Sequence, residues 1–183
     1  MKKGWTTTKL MATGALGVLW TVGSLPLLSI GLITHLFSGS ISGFMFPLAV
    51  LVVRQFGAAT IAAFVFSLLT TPLSTLGPAF LLPRLILDTS AGLLVDFLYL
   101  YLRRNDKIAA LLIGFFTTAV WPFIMAIILI QMGLESVERS LRFILSSPLI
   151  LTFLFGGLVE GFIAYLIYQR IKNTSVVKRI QGV

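Results

Sequence analysis

The sequence predicts an all-α integral membrane protein, six transmembrane helices in a single bundle with both ends cytoplasmic. Three observations predict it. Of the 183 residues, 57% are hydrophobic and only 11% are charged, against about 45–50% and about 25% in a soluble domain. A soluble fold of this size has no interior large enough to hide that much apolar side chain. Six stretches, at 8–28, 31–53, 56–73, 79–102, 107–131 and 148–169, come close to the roughly 20 apolar residues a membrane helix needs. The charges between them are distributed by side. With the N-terminus inside, the inner segments hold Lys2, Lys3, Lys9, Arg54, Arg103, Arg104, Lys107, Arg170, Lys172, Lys178 and Arg179, and the outer ones only Arg139 and Arg142. That bias satisfies the positive-inside rule. Five or seven spans would set the basic tail opposite the basic start. The net charge of +8 therefore reads as topology and contact with anionic lipid, and no nucleic-acid partner is required.

The first span follows Met1-Lys2-Lys3, and its apolar run continues through Leu27-Leu28 with no small-x-small cleavage site. It reads as a retained signal anchor. The second is interrupted by Phe37-Ser38-Gly39-Ser40-Ile41-Ser42-Gly43, which predicts loop or broken helix over its first part. The third is short and ends at Pro72, and Ser74-Thr75-Leu76-Gly77-Pro78 is a turn at the outer surface. The fourth carries Arg84, Asp88 and Asp96. The fifth contains Trp121-Pro122, a kink whose freed carbonyl must be satisfied by protein or cavity. The segment 134–145 is apolar at 134, 137, 141, 144 and 145, the spacing of a short amphipathic helix on the outer surface. The sixth holds Gly157-x-x-x-Gly161, a small-residue pair that lets another backbone approach closely.

The composition excludes much chemistry. There is no cysteine and a single histidine, His35, so thiol catalysis, disulfides and multi-histidine metal sites are out. No nucleotide-binding, serine-hydrolase or zinc-protease motif is present, and neither a cofactor nor an enzymatic activity is expected. Asp88 and Asp96 cannot act as an aspartyl dyad. Lying on one helix about 12 Å apart in rise, they cannot share a proton.

An ionisable group in hydrocarbon costs at least about 2.5–3.5 kcal/mol, so each needs a partner or a task. Arg84 and Asp88 are four residues apart on one helix face and can pair. They read as the wall of an outward-facing pocket bounded by spans four, five and six, or as a self-neutralising structural pair. Asp96 faces a polar neighbour such as Glu160 or Tyr165, or approaches the inner surface. Glu160, beside the glycine pair, points into the bundle as ligand-binding or as structural carboxyl. His35 and Trp121 complete the candidate substrate-binding set. The small residues of span one, Ala12, Thr13 and Gly17, form a candidate docking face for a partner helix.

These features resemble the substrate-binding S component of energy-coupling factor transporters, prokaryotic importers of vitamins and micronutrients. The likeness rests on the size, the six spans and the small residues Ala12, Gly14, Ala15 and Gly17 after a basic start. It rests also on the Gly77-Pro78 turn leading to Arg84 and Asp88, and on the glycine-rich sixth span ending in Tyr168-Gln169-Arg170-Ile171-Lys172. The strict Ala-xxx-Ala docking motif of many members is absent, because Leu16 follows Ala12 by four; Thr13-xxx-Gly17 stands in its place. The resemblance implies a multi-pass protein of the cell membrane. It would capture a small vitamin-like molecule from outside and work with a transmembrane coupling subunit and two cytoplasmic ATPases. The alternatives are an ion-coupled secondary transporter, with Asp88, Asp96 and Glu160 as a relay, and a membrane assembly or scaffold protein without a ligand.

Overall fold

The computed structural model describes residues 4–28, 32–70, 72, 81–133, 138, 142, 145 and 149–182; at 26–28, 32–40, 81, 129, 149–150 and 152 the backbone alone is described. The described elements are all helical. They are α1 (Thr7–Leu28), α2 (Leu32–Val53), α3 (Ala58–Thr70), α4 (Leu81–Leu102) and α5 (Asp106–Phe115), then a π-helical turn (Phe116–Val120), α6 (Trp121–Gln131), α7 (Leu149–Ile171) and α8 (Ser175–Gln181). Two stretches are long and apolar enough to cross a membrane, Leu82–Leu102 and Asp106–Ile128; Ile41–Val53 and Ala58–Thr70 are apolar but shorter.

Several local expectations meet the structure here. α3 stops at Thr70, two residues before Pro72, where the proline ring and the restriction it places on its predecessor disfavour another turn. α2 departs from expectation, since it is helical straight through Phe37–Gly43. Ser42 and Gly43 are buried, and packing on neighbouring helices outweighs the weak helix propensity of serine and glycine. Most of the amphipathic segment at 134–145 and the whole Ser74–Pro78 turn lie outside the described residues. Within the former, Glu138 and Arg142 are paired one helical turn apart.

α2 is the central post, touching α1, α3, α4, α5 and α7, and its Val50, Leu51 and Val53 are fully enclosed. Glycines set the closest crossings. A Cβ on Gly161 would lie 2.2 Å from the Ala110 carbonyl oxygen, and one on Gly114 would lie 2.3 Å from that of Gly157. The Gly157/Gly161 pair thus serves an internal contact of α7 with α5.

The interior is mainly apolar, built on residues such as Trp20, Phe46, Val50 and Ile113, but polar groups lie within it and large apolar side chains also cover the outside. Thr13, Thr21, Ser24, Ser67, Thr70, Arg84 and Asp96 are buried, while Met11 (70% exposed), Leu82 (65%) and Phe155 (62%) face outward. Buried hydroxyls return their protons to the carbonyl one turn back, as Thr13 does to Lys9 (2.8 Å), Thr21 to Gly17 (3.0 Å) and Ser24 to Trp20 (2.9 Å). They therefore need no outside partner.

One end of the bundle is tied by polar contacts. Arg54 (φ 51°) and Gly57 (φ 93°) take left-handed conformations that close the α2–α3 turn. From there Arg54 pairs with Asp106 at the start of α5 and lies over the Tyr168 ring of α7, 5.6 Å from its centroid. Lys9 Nζ donates to Gln55 Oε1 at 3.0 Å. α8 folds across this end, burying Val177 and Ile180. Its Gln181 Nε2 donates to the carbonyls of Leu51 (3.2 Å) and Val52 (3.1 Å), which the end of α2 leaves without helical partners. Among the described residues, every basic side chain except Arg84 and Arg142 belongs to this end.

Candidate functional site

α3 and α4 run side by side, and their contact is polar at both ends. Gly92 of α4 lets the first turn of α3 approach closely, for a Cβ there would lie 2.7 Å from the Ala59 carbonyl oxygen. One helical turn further, the Asp96 carboxylate accepts from the backbone N–H of Ala59 (3.1 Å) and Thr60 (2.9 Å) and from the Thr60 hydroxyl (2.6 Å). These are N–H groups that the first turn of a helix leaves unpaired, and a negative charge is favoured there. Asp96 is thus a cap supplied by another helix. It meets neither Glu160 nor Tyr165 in these bonds; it lies toward the end of the bundle where the basic residues collect.

The other end of α3 meets Arg84. Its Nη2 donates to the Thr70 hydroxyl at 3.3 Å, and Thr70 in turn donates to the Phe66 carbonyl at 2.9 Å. A cation at a helix C-terminus complements the dipole. Arg84 Nε lies 3.5 Å from Asp88 Oδ2, the side chains being 4% and 15% exposed, and Ser67 of α3 hydrogen-bonds Asp88. The pair expected from the i,i+4 spacing is formed. Its polar partners come from α3, whereas the sequence reading set it against spans five and six. Among the described residues, neither Arg84 Nη1 nor Asp88 Oδ2 has a hydrogen-bond partner. Unmet buried donors and acceptors cost about 1–3 kcal/mol each.

Glu160 belongs to a different cluster, built by α2, α7 and the π-helical turn. Its Oε2 accepts from the Thr118 hydroxyl at 2.7 Å, and Gly43 packs against both, because a Cβ there would fall 2.0 Å from Glu160 Oε2 and 2.1 Å from Thr118 Oγ1. Two prolines flank this point. Pro47 lies inside α2, four residues after Gly43, and Pro122 follows the π-helical turn. Each lacks an N–H and so leaves a carbonyl of the preceding turn unbonded. The Ser42 hydroxyl donates to the Thr117 carbonyl at 3.4 Å, the group that Pro122 cannot reach. The kink expected at Trp121-Pro122 is thus taken up as a π-helical turn, a form common at functional sites. Trp121 is buried near Phe116, ring centroids 6.3 Å apart, with no partner for its Nε1 among the described residues. The His35 side chain lies outside the described residues.

The candidate docking face of α1 is turned inward. Thr13 is fully buried, and a Cβ on Gly17 would lie 2.8 Å from the Ala62 carbonyl oxygen and 2.8 Å from Val65 Cβ. Thr13 and Gly17 thus pack within the chain, Gly17 directly on α3; Ala12 is half-buried. Small residues mark close helix approach without saying whether the neighbour belongs to the same chain. Gly17→Leu should consequently lower the stability of the isolated protein by about 2–3 kcal/mol through overpacking. Thermal unfolding in detergent checks this, and an unchanged midpoint would return Gly17 to the surface.

The sequence reading missed Ser67, Thr70, Thr118, Ser42 and Gly43. Their signal was present: Ser67 and Thr70 sit one turn apart on a largely apolar helix, and Gly43 and Thr118 each precede a proline by four. Comparison with family models, with curated proteins and with solved structures finds no match to this chain.

Proposed function

We propose that the chain is a six-span, multi-pass protein of a prokaryotic cell membrane. In this reading it is the substrate-capture subunit of an energy-coupling-factor-type importer. It takes a small vitamin-like molecule from the outer side and works with a transmembrane coupling subunit and two ATPases. The membrane part of the reading is supported by the large apolar side chains exposed around the bundle and by the basic residues collected at one end of it. The observation that carries ligand capture is the Arg84–Asp88 pair, buried yet short of hydrogen-bond partners. Intramembrane charges mark substrate paths by default, and a purely structural pair would be expected to satisfy itself. With Thr13 buried and Gly17 packed on α3, the face of α1 that remains for a coupling subunit is the outward strip of Met11, Ala15, Leu19 and Val22.

Two experiments test this. Purification under mild detergent should bring down a membrane subunit together with ATPases, and purification of the chain alone argues for a carrier or a scaffold. Because the chain has no cysteine, single cysteines report topology cleanly. Met132→Cys should react with an impermeant reagent added outside intact cells, and Arg104→Cys only after lysis. The reverse pattern would end the six-span, both-ends-inside arrangement.

A further inference from the structure

Resting on that ligand-capture reading, we infer that the α3–α4 site takes a neutral ring carrying a carbonyl beside an N–H, a cyclic amide or ureide. Such a group would accept from Arg84 Nη1 and donate to Asp88 Oδ2. Two properties of the site lead here. The first is the pairing of unmet atoms. Arg84 is 4% exposed, with Nη2 committed to Thr70 and Nε facing Asp88, so Nη1 is the one guanidinium nitrogen left with its donors unused. Asp88 Oδ2 ion-pairs with Nε of that same guanidinium at 3.5 Å and, among the described residues, has no further partner, so it keeps acceptor capacity. One donor and one acceptor therefore stand side by side, and a group with the opposite order fits both at once.

The second property is charge. Arg84 and Asp88 cancel, so a net-charged ligand would bring an uncompensated charge into a buried setting, which is strongly disfavoured. A carboxylate would serve Arg84 and repel Asp88, and an ammonium would do the reverse. A neutral amide edge serves both without disturbing the pair. Ser67 and Thr70 act as positioning residues: their hydroxyls hold Asp88 and Arg84 from the α3 side and set which atoms remain free.

Uracil is the probe, being neutral with ring carbonyls beside N–H groups. Uracil methylated at both ring nitrogens keeps the carbonyls and loses the donors; acetate and glycine supply charge instead. Millimolar uracil should raise the unfolding midpoint of the detergent-solubilised full chain, and the methylated form, acetate and glycine should not. Arg84→Lys should weaken the uracil response about tenfold while keeping the charge, because the planar fork is lost. If that variant does not fold, the uracil and methylated-uracil comparison on the unaltered protein decides alone. Stabilisation by acetate or glycine, equal response to the methylated probe, or no response to any probe overturns the assignment. Uracil binding without co-purified ATPases removes the importer subunit and keeps the ligand class; ATPases without uracil binding does the opposite.

Discussion

Gly161→Leu should unfold the contact between α5 and α7. The atom in the way is backbone: a Cβ at 161 would sit 2.2 Å from the Ala110 carbonyl oxygen and 3.1 Å from Leu111 Cα. A flexible side chain could turn aside, but a helix carbonyl cannot without moving the helix. Overpacking of this kind costs about 3 kcal/mol or more. The loss extends beyond the pair, because both helices also lean on α2. The measurement is the unfolding midpoint in mixed detergent, with Gly156→Leu as control. A Cβ at 156 would meet only Glu160 Oε1, 4.0 Å away, so that change should be tolerated. Equal losses in the two variants would mean that the α5–α7 crossing is looser than described.

Asp96→Ala should be about as damaging by a different route. The substitution removes the acceptor for the backbone N–H groups of Ala59 and Thr60 and for the Thr60 hydroxyl. With each unsatisfied buried group costing about 1–3 kcal/mol, a loss of about 3 kcal/mol is expected. Asp96→Asn keeps one carbonyl oxygen and should retain roughly half of the loss. Hydrogen exchange locates the effect, since faster exchange should be confined to the first turn of α3. If the exchange of Ala59 and Thr60 is unchanged in Asp96→Ala, the cap is not what holds α3.

What the sequence shows of this molecule is what one helix can decide by itself. The Arg84–Asp88 pair, the end of α3 before Pro72 and the close approach at Gly157 and Gly161 follow from spacing along a single element. What lies across from each was not legible. α1 and α2 are apolar nearly all round, so no stripe tells which way either faces. Thr13 and Gly17 could equally have met a partner helix or α3. Asp96 is the clearest instance, because its role depends on the start of α3 lying beside it, and α3 begins 38 residues earlier in the chain. The unbroken path of α2 through Phe37–Gly43 is likewise decided by its neighbours.

The bond from Gln181 to the end of α2 carries a consequence for how the protein comes into being. α2 is the second helix made, yet the Leu51 carbonyl receives its partner from a residue 130 positions later. At about 5–20 residues per second, synthesis leaves that carbonyl waiting for about 6–26 s. For that interval the central helix stands among incomplete neighbours, with the foot of the bundle open to water. A ribosome stalled before residue 181 leaves the Leu51 and Val52 carbonyls without the Gln181 donor, and this end of the central helix stays unsealed.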